Sequence, residues 1–123
     1  MARFRYYNRN PKGLTRQNDC VCRAISTATD LPYEVVLANL RKTAELFECD
    51  RYLMCCYKTY LQRVLNATPV YCHNISVGEF ADTHPFGRFV VRTYGHLTTV
   101  INDTVLDIFD CRNEQATNAW QIH

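Results

Sequence analysis

The sequence predicts one α+β domain over residues 1–123. Two patterns carry that expectation. Apolar residues recur at helical spacing between Cys20 and Val64, and β-rich runs follow Asn66. Helices first and antiparallel strands afterwards is the order of an α+β fold. Scale agrees: 123 residues, 47% of them hydrophobic, can bury one core. There is no internal repeat, low-complexity segment or linker.

Residues 1–18 read as an N-terminal arm or loop, with turn chemistry at Asn10-Pro11 and Lys12-Gly13. Arg3, Arg5, Arg9 and Lys12 alternate there with Phe4, Tyr6 and Tyr7. A strand or extended arm packed on the domain fits this better than a nucleic-acid arm, because the net charge is only +2. Asp19 is placed to cap a helix, "CVCRAISTAT", whose Cys20, Ala24, Ile25 and Ala28 share a face. Asp30-Leu31-Pro32 ends it and opens a second helix, "YEVVLANLRKTAELF", with Pro32 in the first turn. Its apolar positions are Val36, Leu37, Leu40, Ala44 and Phe47. A third helical segment, "RYLMCCYKTYLQRVL", offers Leu53, Tyr57, Tyr60, Leu61 and Val64 to the core.

After Asn66, "TPVYC" reads as a short strand. "SVGEFADTHP" reads as a short helix capped by Ser76 and stopped by Pro85. "GRFVVRTYG" is a strand ending at Gly95. "HLTTVI" and "TVLDIFD" form a hairpin about Asn102-Asp103. The tail "CRNEQATNAWQIH" reads as irregular, with Trp120 tucked back on the domain. No apolar run approaches membrane-spanning length, so no membrane partner is expected. The charged N-terminus lacks the apolar stretch of a signal peptide.

Seven cysteines are present: Cys20, Cys22, Cys49, Cys55, Cys56, Cys72 and Cys111. Their number is odd and their spacing forms no disulfide framework, so free thiols in a reducing compartment are expected. No Cys-x-x-Cys pair exists, adjacent Cys55-Cys56 suit chelation poorly, and Cys72-His73 lacks a second pair. No metal and no cofactor are therefore expected. Most of these thiols read as small core residues.

One thiol differs. A thiolate is the reactive form, and a helix N-terminus and a nearby imidazolium both favour it. Cys20 takes the first helical position, whereas Cys22 lies about 200° further round and points elsewhere. Asp19 opposes a thiolate by its charge unless its carboxylate is otherwise engaged. Of the four histidines, His123 is terminal, His84 precedes a proline and His73 sits in a loop. His96 follows Gly95 and opens a hairpin strand, which suits a base held by a third group. With a three-residue loop, Asn102-Asp103-Thr104, Ile101 faces Val105 and His96 faces Asp110, within hydrogen-bond reach. A two-residue loop instead sets Phe109 opposite His96 and Asp107 opposite Thr98. The first register pairs the apolar residues more coherently and is preferred, which makes Asp110 the expected orienting acid.

The segments "NPKG", "DCVCRAISTATDLPYEVV" and "GRFVVRTYGHLTTVINDTVLDIFDC", with Trp120, span roughly half the chain. In these the chain resembles the small papain-like cysteine peptidase-like proteins encoded by bacteriophages, themselves distantly similar to the bacteriocin-leader peptidases of export ATPases. The resemblance implies a papain-like fold, with a nucleophile helix and further helices on a small antiparallel sheet. It also implies Cys20 as nucleophile, His96 as base and Asp110 as orienting acid. It implies a thiol hydrolase acting on a peptide or isopeptide bond in the cytoplasm of a bacterial host, on a peptide or protein substrate that includes host proteins. One departure matters. Papain-like enzymes place an oxyanion-hole glutamine six residues before the cysteine, and Leu14 stands there. Gln17, three before Cys20, and Asn18 are the substitutes. Two other functions are compatible with this scaffold: a host-directed binding or inhibitor protein without peptidase activity, and an acyltransferase or amidase using the same triad.

Overall fold

The computed structural model describes all 123 residues. The chain runs β1 (Arg3–Tyr6), α1 (Cys20–Thr29), α2 (Tyr33–Phe47) and α3 (Met54–Thr59), which widens into a π-helical turn (Tyr60–Val64). There follow β2 (Thr68–Val70), α4 (Val77–Thr83), β3 (Arg88–Thr93), β4 (His96–Ile101), β5 (Thr104–Asp107) and β6 (Asn118–Ile122). The six strands form one mixed sheet in the order β1-β5-β4-β3-β6-β2. β1 runs parallel to β5, and every other pairing is antiparallel. The fold is therefore α+β, as the order of patterns predicts.

Both sheet faces are covered, because successive strand residues point to opposite sides. Val90, Leu97 and Trp120 join Val21, Ile25, Val36, Leu40 and Tyr60 in a core beneath α1, α2 and α3. Phe89, Val91, Val100 and Val105 join Val77 and Phe80 of α4 in a second core on the opposite face. α1 is the central helix, lying across β4 and β3. Its small residues permit this close approach: Thr99 Oγ1 of β4 donates to the Ala24 carbonyl at 2.7 Å.

Three expectations change. The tail is not irregular: Asn118–Ile122 forms β6, paired with β3 on one side and β2 on the other. Trp120 and Ala119 serve different cores, so the strand has no polar face to give it a period-two signature. The sheet, expected to be antiparallel, is mixed, because the strand of the arm, β1, joins its edge parallel to β5. In the third helical segment Tyr57, Tyr60 and Leu61 are buried, but Leu53 and Val64 are exposed. Leu53 precedes the helix, and the π-turn, with Leu65 N–H donating to the Tyr60 carbonyl, carries Val64 off the core face. Ser76 caps α4 as the sequence predicts, and Glu79 completes a capping box with it.

Trp120 locks the tail to the helical layer. It stacks edge-on to Tyr57, with ring centroids 6.1 Å apart, and donates Nε1–H to Gln62 Oε1 at 2.8 Å. Trp120→Ala is expected to cost about 3–5 kcal/mol in urea denaturation.

Candidate active site: Cys20, His96 and Asp107

The site forms where the N-terminus of α1 meets the start of β4. Gly95, at φ +76°, makes the tight turn from β3 and sets His96 as the first residue of β4, opposite Thr93. A side chain is strained in that left-handed region, and glycine is not. Cys20 is the first residue of α1 and is half-buried.

The hairpin register decides the third member. Asn102 and Asp103 both have positive φ, +46° and +68°, so the loop is the two-residue kind. Ile101 therefore pairs with Thr104, and Thr99 with Leu106. Continued along the hairpin, this register sets Asp107 across from Thr98, diagonal to His96 on the same face. His96 Nε2 lies 2.7 Å from Asp107 Oδ2. Phe109 lies against the imidazole, with ring centroids 4.7 Å apart.

Asp110, the acid expected from sequence, is not at the site. It is exposed and pairs with Arg112 at 2.7 Å. The three-residue register fails because apolar pairing is a weak guide when both faces of a sheet are buried. The informative signal was the turn itself: asparagine and aspartate are the residues that best tolerate positive φ after glycine.

Electrostatics separates the members. Burial opposes the charged form of Cys20, but the adjacent His96 ring, the Leu97 backbone N–H and the charge of Arg23 outweigh it and hold the thiol below its ordinary value. Burial likewise opposes charge on His96, yet Asp107 and Cys20 together raise it to about 9. Burial would raise Asp107, but its hydrogen bond to His96 and the charge of that ring bring it below the usual carboxylate range. The shifts of all three members run toward their charged forms: thiolate, imidazolium and carboxylate. Because Nε2 serves Asp107, Nδ1 is the ring nitrogen left for the thiol.

Asp19 occupies the N-cap position of α1, but its side chain makes no cap hydrogen bond. It is buried instead in an ion pair with Arg23, and its Oδ2 accepts from Asn10 Nδ2 and Tyr33 Oη, each at 2.9 Å. These partners neutralise the charge that would otherwise oppose a Cys20 thiolate. Breaking a buried pair leaves one charge uncompensated, so Arg23→Met is expected to lose about 3 kcal/mol of unfolding free energy. A urea titration checks this. Cys22 turns away from the site toward the Tyr33 carbonyl at 3.4 Å, and burial pushes its thiol up to about 12.

The two oxyanion candidates separate. Asn18 lines the cleft of about 150 Å³ that exposes Cys20 and His96, with Val21, Tyr52 and Met54 among its other walls. Gln17 lines an adjoining cavity instead. His96, Asp107 and Cys111 also offer potential metal-ligand atoms within 4.8 Å of one another. The Cys111 thiol lies 3.8 Å from Asp107 Oδ2, and burial pushes it up to about 12. As a protonated donor it supports the Asp107 carboxylate, whereas ligation would require its thiolate. Comparison with protein-family models, with curated proteins and with solved structures finds no match.

Proposed function

We propose that this protein is a papain-like thiol hydrolase that cleaves a peptide or isopeptide bond, encoded by a bacteriophage and acting in the cytoplasm of its bacterial host. One observation carries the reading: the His96 imidazole shares a cleft with the Cys20 thiol, is electrostatically coupled to it, and lies 2.7 Å from the Asp107 carboxylate. Such an arrangement activates a thiol and stores the proton that the leaving group needs.

The chemistry follows from the members. The Cys20 thiolate attacks the scissile carbonyl carbon, and the carbonyl electron pair moves onto oxygen. The Cys20 backbone N–H and the Asn18 side chain receive that charge. As the tetrahedral species collapses, the C–N bond breaks and His96 delivers its proton to the departing amine. Neutral His96 then takes a proton from water as the water attacks the thioester. The carboxylic product leaves, and the thiolate–imidazolium pair is restored. Asp107 holds the ring's orientation and stabilises its charge throughout.

A diverse peptide library, with cleavage read by mass spectrometry, tests the reading. Cleavage by the native protein that disappears in Cys20→Ala is the expected result. Cleavage that persists in Cys20→Ala, or an absence of cleavage with a host protein still captured by that variant, rejects it in favour of another nucleophile or a binding role.

A further inference from the structure

On the far side of Asn18, Val21 and Tyr52 from the thiol lies a second cavity of about 200 Å³, and those three residues line both spaces. Small-molecule sites measure roughly 300–1,000 Å³, so this volume suits a single side chain or a chain end. Leu37 and Leu40 of α2 supply apolar wall, while Arg41 of α2 and Arg51, just before α3, supply two cations.

Both cations are free of acidic partners. Neither Arg41 nor Arg51 takes part in any ion pair of the chain. Arg51 Nε is buried without a hydrogen-bond partner, and Nη2 of the same guanidinium donates only to Tyr52 Oη at 2.7 Å. The single carboxylate of the cavity wall is Asp19, whose oxygens are already engaged by Arg23, Asn10 and Tyr33. The cavity lining thus carries net positive charge, and Asn18, Val21 and Tyr52 are the wall it shares with the cleft of the thiol.

We propose that this cavity is a specificity subsite that receives a carboxylate of the substrate, so that the protein selects acidic peptides at the bond it attacks. The inference rests on the thiol hydrolase reading and names its substrate class. A carboxylate accepts charge-assisted hydrogen bonds in the plane of a guanidinium fork, which a neutral amide of equal size cannot match. Val21, Leu37 and Leu40 accommodate the methylene stem that carries it.

The test is binding to the Cys20→Ala protein, followed by NMR of the arginine side-chain Nε–H signals. The probes are N-acetylglutamate α-methylamide, its isostere N-acetylglutamine α-methylamide, and N-acetylglycine as a terminal carboxylate. The glutamate probe should shift the Arg41 and Arg51 signals saturably and bind about tenfold more tightly than the glutamine probe. Arg41→Met and Arg51→Met, both at solvent-accessible positions, should each weaken it about tenfold while melting like the parent. Equal response to N-acetylglycine would assign the recognised group to a chain terminus and still support an anion subsite. Equal binding of the two isosteres, or undiminished glutamate binding by both arginine variants, overturns the proposal. Since no nucleophile is present in this assay, its failure leaves the reactivity of Cys20 untouched, and an unreactive Cys20 leaves this result untouched.

Discussion

Asp107→Asn is expected to lower peptide hydrolysis by about 10²–10⁴-fold, the range for an orienting carboxylate in a triad, while Asp110→Asn leaves it unchanged. Asp107 is buried and bonded to His96, so its replacement removes the charge that stabilises the imidazolium. An asparagine oxygen still accepts one hydrogen bond but carries no compensating charge. His96 then loses its proton more readily, and the neutral thiol–imidazole state gains at the expense of the ion pair. Asp110 is exposed against Arg112, and its loss touches neither Cys20 nor His96. Rates on the library peptide cut fastest, with melting curves for both variants, check the pair of substitutions. An Asp110 variant that is impaired beside a normal Asp107 variant would reinstate the other register.

His96→Ala is expected to slow alkylation of Cys20 by iodoacetamide at neutral pH by about 10²-fold, because only the thiolate reacts. Without the imidazolium, only the Leu97 N–H and the charge of Arg23 still oppose burial, and the thiol regains its proton. In the native protein Cys20 should be modified ahead of Cys22 and Cys111, whose thiols burial pushes up to about 12. Cys55 is exposed and supplies an internal reference for access alone. Peptide mapping by mass spectrometry reads all seven sites. The pH profile has a direction as well. Alkylation should persist above pH 9, because losing the His96 proton leaves the thiolate in place. Hydrolysis should fall there, because the leaving amine then lacks its proton donor.

The same protonation affects stability. His96 holds its proton more tightly when folded, from the ordinary 6.5 up to about 9. Its contribution is complete below 6.5 and disappears as the pH rises through about 9. Asp107 works in the opposite sense. Its folded value lies below the ordinary 3.8, so its contribution is complete above that value and is lost as acid protonates the carboxylate.

Helical segments were legible because α1 and α2 each carry an apolar face with clear spacing, and α4 announces its start through Ser76. Cys20 and His96 were legible for a related reason, as each sits beside a local signal: a helix start and a Gly-His strand start. The acid was not, because its identity depends on register. One residue of loop length moves the partner set along the strand, and only the positive-φ tolerance of Asn102-Asp103 distinguishes the cases. β6 was missed because its neighbours on both sides are distant in sequence, and its short run of mixed residues alternates between two buried faces. Asp19 was placed correctly but given the wrong work. Tertiary partners on residues 10, 23 and 33 took a carboxylate that local geometry would have spent on the helix end.

The central claim is a thiolate–imidazolium pair oriented by Asp107, and the ring ¹⁵N chemical shifts of His96 test it most directly. Both ring nitrogens should be protonated at pH 7, with the titration near 9. In Cys20→Ala and in Asp107→Asn the titration should move down toward the ordinary value. A His96 that is neutral at pH 7 in the native protein, titrating near 6.5 and indifferent to both substitutions, would contradict the account.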